Sequence, residues 1–309
     1  MHAPVLRYFE AVVATGSMRR AAERLNVASS AINRQIIRLE QDLGTTLFHR
    51  LPRGVELTPA GRLLLNHIRR TLTDFESVRG EIQALSGLRS GRVTIWAIDS
   101  LLIDVLPNAI SDFLNTYPLI TCTVEARSPT AITRGLRNDD VDIGVSFVPR
   151  RASRLDCRVS IAAPLGLIVK PSHPLADRAE VSLADCAGYP LVRLPDTMPV
   201  IEEEMAASKL KVTPMATSES LLFHKKLILN GIGGSFFTPL AYLQEIAAGD
   251  LTFVPLAHPA LRALRIGVFV SADRQPSPAA AVMLDHLCGY LQSVEADIGR
   301  IAGLSEPAA

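Results

Sequence analysis

Over the first ninety residues, apolar positions recur at helical spacing and are broken at short intervals by small, turn-forming residues. Leu6, Phe9, Val12 and Val13 lie three or four apart or adjacent, which predicts a helix over 4–15 ended by Thr15-Gly16. Ser17 is a suitable N-cap for a second, short helix through Leu25, with Met18, Ala21, Ala22 and Leu25 on its inner face. Asn26-Val27 makes the break. Ser29 or Ser30 is then expected to cap a third helix with Ile32, Ile36, Leu39 and Leu43 inward, stopped by Gly44.

Small Ala21 and Ala22 allow the second and third helices to cross closely over a tight turn, which is helix-turn-helix geometry. The outward residues of the third helix are Ser29, Ser30, Asn33, Arg34 and Arg38. Such a polar, cationic face suits a major groove with the first turn at the bases. A three-helix bundle with a solvated face fits the same pattern.

After Gly44, TTLFHRLPRGVELTPAG reads as two short strands around Pro52-Arg53-Gly54, a wing anchored by Leu47 and Phe48. Arg50 and Arg53 are expected at its tip, within reach of phosphates or a minor groove. Thr58-Pro59 pairs an N-cap with proline at the first helical position. The helix it opens is predicted to run to about Leu88. Its apolar residues, Leu65, Ile68, Leu72, Phe75, Val78, Ile82 and Leu85, follow a period near 3.5, the seam of a left-handed helix pair. A helix lying on its own domain would show a wider stripe, so a dimer seam is expected.

From Gly91 the pattern changes to strands alternating with helices, which predicts a mostly parallel sheet. RVTIWAIDS, ITCTVEA, VDIGVSF, PLGLIVK, PLVRL, LTFVPL and RIGVFVSA are the strand runs, with helices at Leu101–Thr116, Thr130–Asn138, Glu219–Asn230 and Ala279–Val294. GIGGSFFTPLAYLQEI reads as strand, turn and helix. The chain passes from one α/β lobe to another and returns, as periplasmic-binding-protein-like domains do. Lobe I is expected at about 92–163 with 265–300, and lobe II at about 164–264. Ligands bind beyond the carboxyl ends of such strands. That rule selects Ser100, Ser128, Thr130, Ser146, Phe147, Thr197, Met198 and Ser235 to Phe237. Each hydroxyl also fits simple helix capping. Hydroxyls beside Phe and Met suggest a small organic anion.

Charge sharpens the division. Residues 1–90 hold 13 arginines and no lysine against 8 acidic residues, a net +5 within a chain of +1 overall. A basic front end on an acidic body is the signature of a polyanion-binding module joined to something else. With 48% hydrophobic residues in 309, the chain has enough apolar surface for two cores. No apolar run approaches the 18 or more residues of a membrane span, and MHAPVLRYFEA lacks the form of a signal peptide.

Enzyme signatures are missing. Gly231-Ile232-Gly233-Gly234 departs from the dinucleotide spacing, and neither a phosphate-binding lysine loop nor H-E-x-x-H occurs. The seven histidines show no metal spacing, and His49 reads as a wing surface residue. Cys122, Cys157, Cys186 and Cys288 lie far apart and read as free thiols, with Cys157 and Cys186 the first suspects for redox sensing. No metal or cofactor is expected.

The strings FEAVVATGSMRRAAERL, NVASSAINRQIIRLEQDLGTTLFHR and VELTPAG closely resemble the winged helix-turn-helix of LysR-type transcriptional regulators, in fixed register over more than fifty residues. HPLA, NGIGGSFFTP and the strand–helix opening at 92–117 resemble the regulatory domains of the same family. The resemblance implies DNA contact by Ser29, Ser30, Asn33, Arg34 and Arg38 on the helix and by Arg50 and Arg53 on the wing. The family typically has Gln or Pro where this chain has Ser29, and Ser where it has Asn33. Both positions contact bases, so the operator sequence does not transfer. Ser100 and Ser128 best match the family's effector-contacting positions.

The implied fold is α/β overall: an N-terminal all-α winged helix-turn-helix (1–58), a long linker and dimerisation helix (59–88), and a two-lobed α/β effector domain (89–309). The implied protein is a cytoplasmic regulator, not an enzyme. Its expected partners are double-stranded DNA, a small-molecule effector, itself as homodimer or homotetramer, and RNA polymerase, with no membrane. The alternative is a DNA-binding protein whose second domain serves only assembly.

Overall fold

The computed structural model describes residues 4–51, 54–85, 90–149, 154–195 and 214–303. Two compact units make up the chain, Met1–Leu88 with Asn138–Asp140, and Arg89–Arg137 with Val141–Ala309.

The first unit opens with helices α1 (Pro4–Thr15), α2 (Met18–Leu25) and α3 (Ser29–Leu43). Phe9, Val12, Ala21, Ala22, Ile32 and Ile36 are buried together in one core, as their spacing predicts. Ser17 caps α2 by accepting from the Arg20 N–H, while Asn26 ends it in the left-handed conformation (φ 52°, ψ 47°), one that asparagine tolerates. That residue makes the turn tight. Neither Ser29 nor Ser30 caps α3: both already lie inside the helix, and the N-cap is Ala28, which offers no side-chain acceptor.

The wing is the antiparallel pair β1 (Phe48–Leu51) and β2 (Gly54–Leu57), with Arg50 opposite Val55. Three contacts hold it to the helices. Glu40 Oε1 accepts from the backbone N–H groups of Leu47 and Phe48 at 2.8 and 3.3 Å. The Phe48 ring meets Phe9 with centroids 4.8 Å apart. The Val55 N–H donates to the Gly16 carbonyl at 3.0 Å, an approach that only a glycine at 54 allows, because a Cβ there would strike the same oxygen.

Helix α4 (Pro59–Leu85) follows. The expected seam divides along its length. Leu65 and Ile68 are buried in this unit's own core and Leu72 packs partly against it, so the first two are no longer free for a partner helix. Further along, Phe75 is half-buried while Val78 and Ile82 are exposed. The side chain of Leu85 and the stretch 86–89 lie outside the described residues.

The second unit contains two sheets of consequence. In the first, β3 (Gly91–Ala97), β4 (Ile120–Ala126), β5 (Ile143–Phe147), β6 (Leu155–Ala162) and β12 (Arg265–Ser271) are ordered β4-β3-β5-β12-β6. β3 pairs parallel with β4 and β5, whereas β12 is antiparallel to both β5 and β6. Four consecutive residues of β5 are buried, as in a central strand covered on both faces. β6 is an edge strand with Asp156, Cys157 and Arg158 exposed, and that polar edge is why no apolar run announces it. Packed on this sheet are α5 (Val105–Thr116), which follows a single 3₁₀ turn at Asp99–Leu101, then α6 (Pro129–Arg137) and the closing helix α11 (Pro278–Ala302).

The second sheet is built from β7 (Gly166–Val169), β10 (Ser235–Phe237) and β11 (Thr252–Pro255), in the order β10-β7-β11. Both neighbours run antiparallel to β7, so the mostly parallel expectation holds for β4-β3-β5 of the first lobe and for a short two-residue strand pair of the second, not for this sheet. Short elements complete it: α7 (Leu183–Cys186), β8 (Val192–Arg193), β9 (Ala216–Thr217), α8 (Leu221–Leu229), α9 (Leu243–Ala248) and α10 (Pro259–Arg262). The two chain crossings between lobes lie side by side, pinned by Ala163 N–H to Leu264 O at 2.9 Å and Leu165 N–H to Leu261 O at 3.0 Å. α11 runs eight residues past its expected end, placing Ile298 in the first lobe's core and Ala302 in the second's.

One buried polar cluster organises lobe II. His224 is fully buried on α8, with Nδ1 2.9 Å from Ser235 Oγ and Nε2 2.8 Å from the Ser218 carbonyl oxygen. Ser235 Oγ also lies 2.7 Å from the Val192 carbonyl oxygen; with a neutral ring whose Nε2–H donates to Ser218, the one Ser235 hydroxyl hydrogen serves either Nδ1 or that carbonyl. Burial holds the His224 pKa below its ordinary value, against the smaller upward effect of the Ser218 hydrogen bond.

Two outcomes follow. Glu40→Ala strands the Leu47 and Phe48 N–H groups and should cost about 1–3 kcal/mol in urea unfolding, with Glu40→Gln costing less because an acceptor remains. Because folded His224 resists protonation, the unfolded chain takes up that proton first. Its contribution is therefore whole above a pH of about 6.5 and declines as pH falls below it. Melting curves from pH 7 to 5 should show a shallower decline for His224→Gln than for the unsubstituted chain.

Candidate functional site

α3 divides cleanly into two faces. Ile32 and Ile36 are buried, while Ser29, Ser30, Arg34 and Arg38 are exposed and Asn33 is half-buried beside them. Ser30, Arg34 and Arg38 recur every four residues and so form one stripe along the helix. A helix whose apolar side is occupied can present the other side to a groove without unfolding its support. The arginines on that side supply fixed positive charge, and Ser and Asn supply neutral donors and acceptors for base edges.

The wing reaches the same surface. Arg50 and Phe48 share one face of β1: Phe48 turns into the core and Arg50 extends over α3, where its Nη2 donates to Asn33 Oδ1 at 3.1 Å. Helix and wing thereby present one continuous polar surface made of Ser29, Ser30, Asn33, Arg34, Arg38 and Arg50. Arg53 lies outside the described residues. His49 is exposed on the wing, as expected of a surface residue. The contribution of Glu40 escapes the sequence because a carboxylate late in a helix looks like ordinary surface charge, and nothing in the spacing reveals that it faces the Leu47 and Phe48 amides.

In the second unit, the parallel arrangement of β4, β3 and β5 places their carboxyl ends side by side. Ser100, Ser128, Thr130, Ser146 and Phe147 follow or end those three strands and so gather at one edge of the first lobe. The loops there are tied by Ile98 N–H to Val145 O at 3.2 Å and Arg127 N–H to Ala97 O at 2.9 Å. Ser128 caps α6, with its Oγ 3.4 Å from the Ala131 N–H and 3.2 Å from Thr130 Oγ1. Ser146 is buried, and its hydroxyl has no hydrogen-bond partner among the described residues. Asp99, beside Ser100, has its pKa raised by burial and by the Glu219 carboxylate of the other lobe.

Two expected lining residues are corrected. Ser235 is buried and committed to Val192 and His224, and Phe237 is buried in the lobe II core against His224 and Tyr242. Both are structural, because β10 pairs with the central strand β7 and points them inward. Thr197 and Met198 lie outside the described residues. Burial pushes the Cys186 thiol up to about 12, so it carries little thiolate, while solvent-exposed Cys157 on the β6 edge is raised by partial desolvation and the Asp156 carboxylate, against a smaller opposite effect of Arg265.

Comparison with known proteins agrees with this division. Residues 5–62 match the bacterial regulatory helix-turn-helix protein family, lysR type, and residues 86–291 match the LysR substrate binding domain. The chain is 30% identical to the SDS degradation transcriptional activation protein of a Pseudomonas species, over 90% of this chain and 92% of that protein. It is 26% identical to a probable RuBisCO transcriptional regulator of Synechocystis, over 90% and 83% respectively. A full-length OxyR variant from Pseudomonas aeruginosa superposes with a TM-score of 0.68 at 18% identity, covering 99% of this chain and all of that one. CbnR complexed with its target DNA superposes at 0.59 with 23% identity, covering 94% of this chain and all of that one. These relatives are named as regulators, not enzymes, and no helix among the described residues is long and apolar enough to cross a membrane. The chain belongs to the LysR family of DNA-binding transcriptional regulators and carries that family's substrate-binding domain.

Proposed function

We propose that α3 reads a specific operator in the major groove through Ser29, Ser30, Asn33, Arg34 and Arg38, while Arg50 and Arg53 follow the backbone or the adjacent minor groove. The observation that carries this reading is the two-faced α3, with its apolar side buried and its arginine stripe exposed. In the second unit, a small effector occupies the edge formed by Ser100, Ser128, Thr130, Ser146 and Phe147.

The effector is an organic acid in this reading. At the N-terminus of nine-residue α6, where Pro129 has no N–H and Ser128 caps Ala131, the Thr130 N–H and the helix dipole favour a carboxylate. The buried, unpartnered Ser146 hydroxyl supplies a donor or acceptor. Asp99 and Glu219 disfavour a second negative charge nearby, so the acid presents a neutral or donor-bearing end to them. An effector that prefers one lobe arrangement shifts the population of that arrangement.

Two copies pair along the later part of α4, through Leu72, Phe75, Ile82 and Leu85. The exposure of Val78 at 50% and Ile82 at 59% supports this, since lone apolar side chains on a long helix gain from a partner. Two such dimers form a homotetramer that spaces its readers along one duplex and contacts RNA polymerase, in the cytoplasm.

Binding should be measured against salt. Arg53→Ala is expected to lower the slope of log K on log salt by about 0.9 with sequence preference retained, as one lost phosphate contact requires; an unchanged slope removes Arg53 from the backbone. A thermal-shift screen of small organic acids should raise the melting temperature for at least one compound by mass action. Uniform silence across neutral, basic and acidic metabolites would instead favour a second domain that serves only assembly.

A further inference from the structure

The Arg50–Asn33 hydrogen bond carries a consequence for which base Asn33 can read. A guanidinium holds five donors and no acceptor. The Asn33 amide atom that faces Arg50 Nη2 at 3.1 Å must therefore be its oxygen, and the amide NH₂ points away from the wing. The arrangement is built in from both sides. Asn33 is half-buried on a helix whose Ile32 and Ile36 are fixed in the core. Arg50 stands on a strand anchored by Phe48 against Phe9 and by Glu40 at its base.

We infer that Arg50 is a positioning residue that sets the base preference of Asn33. Bidentate recognition of adenine needs the asparagine oxygen to accept from N6–H₂ while its NH₂ donates to N7. Here Arg50 takes one of the oxygen's two lone pairs, and the guanidinium N–H groups beside it disfavour a second donor at the other. The NH₂ group is then the favoured contact for the groove. It matches the paired N7 and O6 acceptors of guanine best and O4 of thymine next, and it opposes the N6–H₂ of adenine. The inference rests on Asn33 contacting a base, as proposed above.

The test is selection from a randomised duplex library by the full-length protein and by its Asn33→Ala, Arg50→Ala and Arg50→Lys variants. Asn33→Ala should flatten one position by about tenfold in base discrimination, which identifies the base that Asn33 contacts. At that position the unsubstituted protein should select guanine or thymine. Arg50→Ala should raise adenine there by about tenfold relative to guanine, and Arg50→Lys, still a donor, should keep the original choice. A strand-only role for Arg50 would not alter one base position.

If Asn33→Ala flattens no position, the base-contact reading itself falls. If it flattens one position but the unsubstituted protein selects adenine there, or Arg50→Ala leaves that preference unchanged, the positioning role alone is overturned. Uniform weakening by Arg50→Ala with a lower salt slope and every base preference intact would leave Arg50 a backbone contact alone and likewise overturn it.

Discussion

The carboxylate of Glu40, bound to the backbone N–H groups of Leu47 and Phe48, is the constraint on which the DNA-binding surface depends. It joins the end of α3 to the start of the wing, two pieces that share little sequence distance but must hold one relative position. With the Phe48–Phe9 contact and the Val55–Gly16 hydrogen bond, it fixes the strand that carries Arg50 over Asn33. Readout of a base edge tolerates small errors poorly, because hydrogen-bond strength falls steeply with angle and distance. A rigid junction therefore serves recognition as much as stability.

The same logic of paired anchoring recurs in the second unit. The two crossings between lobes are pinned to each other by Ala163 and Leu165. Helix α11 enters both cores through Ile298 and Ala302. A small molecule bound at the edge of the first lobe, as we propose, would act on a hinge with few free joints. This narrows the lobe arrangements available and makes a modest difference in affinity between them effective. Charge across the lobes, with Glu219 acting on Asp99, adds a term that the effector must either neutralise or avoid.

Much of this architecture was legible in the chain. Periods of three and four gave α1 and α2 to the residue and α3 to within one or two at its start, and Thr58-Pro59 marked the start of α4, because burial against one core imposes that spacing. The exceptions have physical causes. Ala28, not a serine, caps α3, since the tight turn at Asn26 shifts the helix start by a residue. Leu65 and Ile68 belong to their own unit because α4 lies across the winged domain before it extends beyond it; a heptad seam cannot tell a neighbouring helix from a neighbouring molecule. β6 was hidden by its polar edge. Ser235 and Phe237 obeyed the rule for strand ends yet point inward, because β10 is antiparallel to its neighbour and the rule assumes parallel strands.

The central claim is that α3 lies in a major groove against base edges. Dimethyl sulfate methylates guanine N7, which faces that groove, so interference on a library-selected duplex tests the claim directly. Methylation at particular guanines within each half-site should block binding. If N7 methylation has no effect anywhere while ethylation of backbone phosphates still interferes, α3 is not a base-reading helix and the account is wrong.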